Sequence, residues 1–598
     1  AAHFSRIDLN LDGKEDLIAF DKTDNVVIPF INLGDSGEIK YKYAPEYIQR
    51  FPNSIGWMLL RDFNCDGKKD VFYCESGGVL SVSENISSST LKFDLYNGRV
   101  SSNQYPGGNI GIYIPSTDVP AIADMDSDGD LDILTFGVLG TSLEYHRNYA
   151  MENSGTCDSL QYTLKNYCWG HFLEVGFNTN KLVLYDTCSY NVPNPNGNGS
   201  SINRHAGSTI TTFYNNEDDV IDILLGDVSF PNIVMGQNGG TLPNQNSSIT
   251  SQDTAFPSYD TPVDLTLFPG TFIEDVDNDG IKDMLVSPNT TELSENTESV
   301  WFYKNIGTNS IPNFNLKKKN FLQEEMIEMG QQSIPELFDY NADGLMDLIV
   351  SNYGYFDKDS IAHFCKITLY KNIGTIAKPT FEFVTDDYQN FSALKLGNSL
   401  HPTFADIDGD NDEDLILGNS EGYLHFLTNT AGSGNTASFT LTASRLKDNL
   451  NNVIDVGQFS APQLFDYDND GDFDLIIGKV NGSIRYYENI GTPTAYSFKK
   501  ITDSMGRVEL HEFWDTFGAS TGYNSPKMYR NGTTVTLYCG AQPGGVFKFT
   551  GINTANPKQT FIIDTVLDNH FIGERSTPVF LRNHFIGKKN GYSNSEVE

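Results

Sequence analysis

The sequence predicts an all-β fold, a propeller of four-stranded antiparallel blades, eight or nine in number and seven at the fewest. Two observations carry this. An acidic loop recurs along the 598 residues at roughly constant spacing, and each copy runs into a short apolar, β-branched stretch rather than a helical pattern. The copies are "DLNLDGKEDLIAF" from Asp8, "DFNCDGKKDVFYC" from Asp62, "DMDSDGDLDILTF" from Asp124, "DVDNDGIKDMLVS" from Asp275, "DYNADGLMDLIVS" from Asp339, "DIDGDNDEDLILG" from Asp406 and "DYDNDGDFDLIIG" from Asp466. A worn copy, "YNNEDDVIDILLG", starts at Tyr214. Successive starts lie 54, 62, 90, 61, 64, 67 and 60 residues apart. A further copy without carboxylates, "MYRNGTTVTLYCG", begins at Met528, and another onset falls at "STPVFLRNH" from Ser576.

The elements of one blade follow from the copy at Asp466. "APQLFDY" reads as a strand, the acidic loop follows it, and "DLIIGKV" is a second strand. Asn481-Gly482 is a strong hairpin signal, "SIRYYEN" a third strand, "IGTPTA" a turn and "YSFKKI" a fourth strand. Four strands in about 60 residues make one blade, somewhat longer than the better-known blade repeats. The array is expected to be one propeller over residues 1–598. An insertion at about 150–205 accounts for the 90-residue interval, and a C-terminal fragment at about 570–598 is expected to help close the ring.

The loops point to a hard divalent cation. Such an ion takes six to eight oxygen ligands, and alternating carboxylates around a glycine turn can wrap it. An EF-hand would continue to a bidentate Glu and a helix; these loops run into strands. The expected ligands are the first, third, fifth and ninth loop residues. They are Asp8, Asn10, Asp12 and Asp16; Asp62, Asn64, Asp66 and Asp70; Asp124, Asp126, Asp128 and Asp132; and Asp275, Asp277, Asp279 and Asp283. The later copies supply Asp339, Asn341, Asp343 and Asp347; Asp406, Asp408, Asp410 and Asp414; and Asp466, Asp468, Asp470 and Asp474. About seven Ca2+ sites are expected. Tyr214 removes the first carboxylate of the worn copy, and Asn411 replaces a loop glycine, which Asn tolerates because it adopts left-handed geometry.

Net charge is −38, which disfavours nucleic acid and anionic membrane surfaces as partners. Seven divalent ions would return fourteen charges and leave the surface at about −24. Extracellular calcium modules bind at about 0.1–1 mM. At ten times the dissociation constant each site stabilises the fold by about 1.4 kcal/mol, so seven sites sum to about 10 kcal/mol, the size of a typical domain's whole stability. The protein is therefore expected outside the cytoplasm, extracellular or on the cell surface after export through the periplasm. The chain opens with Ala1, seven residues before the first ligand, as a processed or trimmed chain would. No apolar run reaches the roughly 20 residues of a membrane-spanning helix.

Seven cysteines leave at least one unpaired within the chain. Cys157, Cys168 and Cys188 share the insertion, where a disulfide would brace an Asn- and Gly-rich excursion at 192–200. Cys65 and Cys74 are read as small buried apolar groups.

The D-x-[DN]-x-D-G-x-x-D loop followed by "LIIG", at intervals near 60, resembles FG-GAP (VCBS-type) repeats, the units of the integrin α-subunit propeller. The resemblance covers nearly the whole chain and implies calcium held in a loop between adjacent strands. Phrases such as "HFSRIDLNLDGKEDLIAF" and "LFDYNADGLMDLIVSNYG" also look like large secreted proteins of Bacteroidetes-type bacteria. That likeness implies export by type IX secretion.

No H-E-x-x-H and no G-x-S-x-G motif occurs. "NRHAGST", with Arg204 and His205, reads as a surface turn and His401 as a packed side chain. Trp57, Trp169, Trp301 and Trp514 read mainly as blade-packing residues. The expected function is that of a non-enzymatic, calcium-stabilised binding protein with a protein or glycan ligand, for adhesion or capture. The alternatives are an accessory or cargo subunit of an outer-membrane complex for secretion or uptake, and a polysaccharide lyase on a calcium propeller. A lyase for acidic sugars needs a cleft rich in Lys, Arg and His, and no basic cluster is visible along the chain.

Overall fold

The computed structural model describes residues 1–598 except 105–106, 138–139, 141, 175–178, 186–187, 189–206, 244–246, 292, 325, 511–520, 543–544, 567–576, 582–583 and 588–598. Arg204, His205, Trp514, the 192–200 excursion and most of the C-terminal fragment lie outside the described residues.

The fold is a multi-blade β-propeller of open antiparallel sheets. Blade 8 is representative: Ser460–Phe465, Asp474–Lys479, Ile484–Asn489 and Phe498–Thr502 pair in chain order. The acidic loop joins its first two strands, with Phe465 opposite Asp474, and Gly482 turns the next hairpin at φ 78°. Eight such four-stranded sheets and one of six strands occur among the described residues, nine blades in all and within the predicted eight or nine. Blade 3, the sheet that contains Asp132–Phe136, has six strands, because Ser101–Asn103 adds in parallel to the outer strand Tyr162–Trp169 and Asn109–Gly111 follows it. Part of the predicted insertion is thus blade: it supplies that fourth strand, and it also forms a separate small hairpin, Phe172–Glu174 with Leu182–Leu184. Blade 9 has no acidic loop, since Ser525–Asn531 turns directly into Thr534–Gly540.

The chain divides into two compact units, Ala1–Glu325 and Met326–Glu598, where the sequence reading drew one array over 1–598. In the first unit the inner strand of blade 1, Ala2–Ile7, packs against the inner strands of blade 2, Met58–Arg61, and of blade 5, Pro269–Glu274. Tyr41 of blade 1 donates its hydroxyl to the Val276 carbonyl of blade 5 at 2.6 Å, so the fifth blade abuts the first. In the second unit, Pro578–Leu581, paired with His584–Gly587, packs against the inner strands of blade 6, Ile334–Phe338, and of blade 9.

Stability comes from the faces between neighbouring blades. Strand alternation sends every second side chain toward the next blade, and the buried clusters fall at these interfaces. Phe213, Trp301, Tyr303 and Phe314 join blade 4, which opens on Ser208–Phe213, to blade 5; Phe338, Leu369, Leu415 and Leu427 join blade 6 to blade 7, which opens on His401–Ala405. Trp57, Trp169 and Trp301 are buried, as the packing reading expects.

Two disulfides are present. Cys168–Cys188 lies within the insertion, as expected. Cys65 corrects the sequence reading: it bonds Cys157 across 92 residues, tying the second acidic loop to blade 3. Cys74, Cys365 and Cys539 are buried and free. No described helix is long and apolar enough to cross a membrane.

Candidate metal sites in the acidic loops

Each loop is shaped by its own backbone before any ion is considered. The first aspartate accepts the N–H groups that the turn would otherwise leave unpaired. Asp8 accepts from Asp12 at 3.0 Å and Gly13 at 2.8 Å, and Asp339 from Asp343 at 3.1 Å and Gly344 at 2.8 Å. The fourth and sixth residues are left-handed: Asn469 and Gly471 lie at φ 67° and 97°. Asn411 at φ 67° takes the glycine's place, as predicted, and Gly409 relieves the preceding left-handed position.

The ninth aspartate is a buried structural anchor. Asp16, Asp70, Asp132, Asp222, Asp283, Asp347, Asp414 and Asp474 are each at most 1% exposed. Each accepts the N–H of loop residue two on one oxygen, at 2.9–3.3 Å. The other oxygen accepts the N–H of an asparagine ending the third strand, at 2.7–2.9 Å. That asparagine reaches back: Asn305 Nδ2 donates to the Lys282 carbonyl at 3.0 Å. Asp222 makes the same two bonds although Tyr214 has removed the first carboxylate of its loop, so the anchor does not depend on a complete acidic set. Burial raises the pKa of these groups, to about 6 for Asp16, about 7 for Asp474 and about 8 for Asp132.

Four of the seven predicted loops bring carboxylate oxygens within 4.8 Å of one another. The groups are Asp124–Asp126–Asp132, Asp275–Asp277–Asp279, Asp406–Asp408–Asp414 and Asp466–Asp468–Asp470. The loops at Asp8, Asp62 and Asp339 form no three-carboxylate group among the described residues. Their third residue is an amide, and Asn10 and Asn341 turn it onto Asp12 and Asp343 at 2.9 Å.

The donor set fits a hard cation. Buried carboxylate oxygens with no hydrogen-bond donor recur in these loops: Asp62, Asp126, Asp277 and Asp408 each leave Oδ1 without one, as do Asp130, Asp412 and Asp472. An orphaned buried carboxylate oxygen is costly, and a metal satisfies several at once. The last three stand at loop position seven, a position the sequence reading did not count. Their recurrence in "DGD" and "DND" was the available signal.

A second unread position is the residue before the third-strand asparagine, which faces the loop. Lys304 places its ammonium 2.7 Å from both Asp277 and Asp279 and 3.3 Å from Asp283. Arg147 reaches Asp126 at 2.6 Å and Asp128 at 3.2 Å, and also pairs with Glu152. Burial opposes the charge on Lys304, but its bonds to Asp277 and Asp279 carry its pKa upward. In blade 2 the equivalent residue is Glu84, which accepts from Asn64 Nδ2 at 3.2 Å; in blade 8 it is Glu488, which adds its charge to that around Asp468. In blade 6 it is Lys371, 3.7 Å from Asp343, so the loops differ in kind: three carry a tethered cation and two an extra carboxylate.

Most of the histidines that the structure describes serve packing, while His171 is exposed and Ser399 Oγ lies 3.4 Å from His401 Nε2. His3 is buried with Nε2 2.9 Å from Asn289 Oδ1, and His401 lies edge-on to Phe459 at 4.8 Å.

Comparison with known proteins agrees with the loop pattern. Residues 339–417, spanning the loops at Asp339 and Asp406, match the family described as FG-GAP-like repeat. No curated protein matches the chain. Among solved structures, an Agrocybe aegerita lectin, whose study concerns recognition of non-reducing terminal N-acetylglucosamine, aligns at 14% identity. The alignment covers 74% of this chain and 90% of the lectin, with a TM-score of 0.23.

Proposed function

We propose that this chain is a non-enzymatic binding propeller whose acidic loops are held by calcium and which works outside the cytoplasm, presenting its inter-blade loops to a protein or glycan. The observation that carries the reading is the recurrence, at repeat spacing, of converging carboxylates with orphaned buried oxygens. Between strands one and two of a blade, an ion would be bound by Asp466, Asp468 and Asp470 in blade 8 and by Asp406, Asp408 and Asp414 in blade 7. When bound it supplies charge neutralisation and cross-linking, not chemistry. The chain's own contribution is the left-handed turn that aims these oxygens inward and the ninth aspartate that ties the turn to the third strand.

Two further features support binding over catalysis. Most of the described histidines are engaged in packing, the Ser399 hydroxyl beside buried His401 is given to Gln332 at 3.1 Å, and the acidic surface suits recognition through neutral or basic groups. Export to a calcium-rich compartment follows from the ion's role, since roughly millimolar affinity is useful only there. Glycan and protein arrays probed with calcium and with chelator test the reading: calcium-dependent retention of a ligand class supports it. Turnover of any polymer, abolished by a single substitution, overturns it.

A further inference from the structure

The first unit holds a partly open cavity of about 510 Å³, within the range that holds a small organic ligand. Its walls are the inner strands of blades 1 to 5, and they are mostly apolar, with Leu59, Ile122, Ile210 and Phe272 among them. Its loop end is charged. Arg6, Arg61, Lys69 and Lys282 line it with Glu15 and Glu274, beside Asp124 and Asp275 of the acidic loops. Four cations are matched there by four carboxylates, Glu15, Glu274, Asp124 and Asp275, so in a chain with 78 acidic and 40 basic residues this lining is neutral where the rest of the surface is acidic.

The carboxylates are already committed. Arg61 pairs with Glu274 at 3.3 Å, and Arg6 with Glu15 and Asp275, both at 3.3 Å. The ammonium groups of Lys69 and Lys282 have no carboxylate or hydrogen-bond partner among the described residues. Both stand at loop position eight, in blades 2 and 5, on either side of Glu15 in blade 1. Lys69 is half-buried and Lys282 exposed, and two ammonium groups without a partner at the mouth of an apolar pocket can share an anionic head group. The sequence hid this cluster, because its members come from three blades and lie up to 276 positions apart, from Arg6 to Lys282.

The geometry points to this cavity as a binding site for a small amphipathic anion, its acidic head between Lys69 and Lys282 and its apolar body against Ile122, Ile210 and Phe272. This names a ligand class for the binding role and is independent of calcium, whose effect on melting is read separately.

The test uses the full chain in calcium. The probe is 8-anilinonaphthalene-1-sulfonate, with N-phenyl-1-naphthylamine as the neutral control of similar body. One saturable sulfonate site per chain is expected, weakened tenfold or more by Lys69→Gln with Lys282→Gln, because a charge-assisted contact contributes about 1.5–3 kcal/mol. Binding of the neutral probe should change by less than about twofold on the same energetic ground. Octanesulfonate should displace the probe from the unaltered protein and octanol should not, a comparison that needs no variant to fold. No saturable site, equal weakening of both probes, or equal displacement by octanol overturns the proposal.

Discussion

Replacing Asp474 by alanine separates anchor from ligand within one loop. Asp474 accepts the Tyr467 N–H at 3.0 Å, the Asn489 N–H at 2.7 Å and the Tyr486 hydroxyl at 3.0 Å, and it is buried. Alanine leaves two backbone donors and a hydroxyl unpaired, each costing about 1–3 kcal/mol, while relieving the burial of a carboxylate. A net loss of about 4 kcal/mol follows, or about 8 °C in melting temperature for a unit of this size. Asp470, four residues earlier in the same loop, is exposed and accepts the Asp472 N–H at 3.1 Å. Asp470→Ala should therefore cost about 1.4 kcal/mol with calcium at ten times its dissociation constant. In chelator it should cost nothing or slightly stabilise, since it removes repulsion from Asp466 and Asp468. Calorimetric melting of both variants, with calcium and with chelator, is the assay. If both lose equally in calcium and both losses vanish in chelator, the ninth aspartate is a ligand and no more, and the anchor argument fails.

Three further outcomes are expected. Lys304→Met should strengthen calcium binding at the Asp275 loop, by titration calorimetry, and lower the melting temperature in chelator, where Asp277, Asp279 and Asp283 lose their internal cation. In chelator, stability should rise as pH falls from about 8 to about 6. The ninth aspartates have folded pKa values raised from 3.8 to between about 6 and about 8, so the folded state binds more protons than the unfolded one across that window; with calcium bound the rise should disappear or reverse, because protons then compete with the ion. Cys65→Ser should lower stability by up to about 4–5 kcal/mol, since the bond to Cys157 closes a loop with a sequence separation of 92, measured by denaturant melts of oxidised protein.

Much of the blade was legible because its signals are local. Acidic turn, apolar strand, Asn-Gly hairpin and "NIGT" turn each declare themselves within a few residues, and the structure places strands on them. The division near Glu325 was not legible, since the repeat spacing runs from Asp275 to Asp339 unbroken, and which blades close on one another is decided by side-chain packing between distant segments. The same reason hid the partner of Cys65. Within the loops, spacing located the carboxylates but not their separate tasks. Asp16 and Asp12 look alike in sequence, and only the N–H groups of Leu9 and Asn32 distinguish the anchor from the exposed oxygens. Lys304 and Glu488 occupy equivalent places with opposite charge, which a search for acidic motifs passes over.

The number of calcium ions bound per chain, counted by titration of chelator-stripped protein while melting is followed, bears most directly on the claim that divalent ions hold these loops together. Several ions per chain, at most about seven, with saturation near the millimolar concentrations found outside cells and a melting temperature that climbs many degrees in step with occupancy, is the predicted result. A protein that binds none at about 2 mM and melts at the same temperature with and without chelator would contradict it.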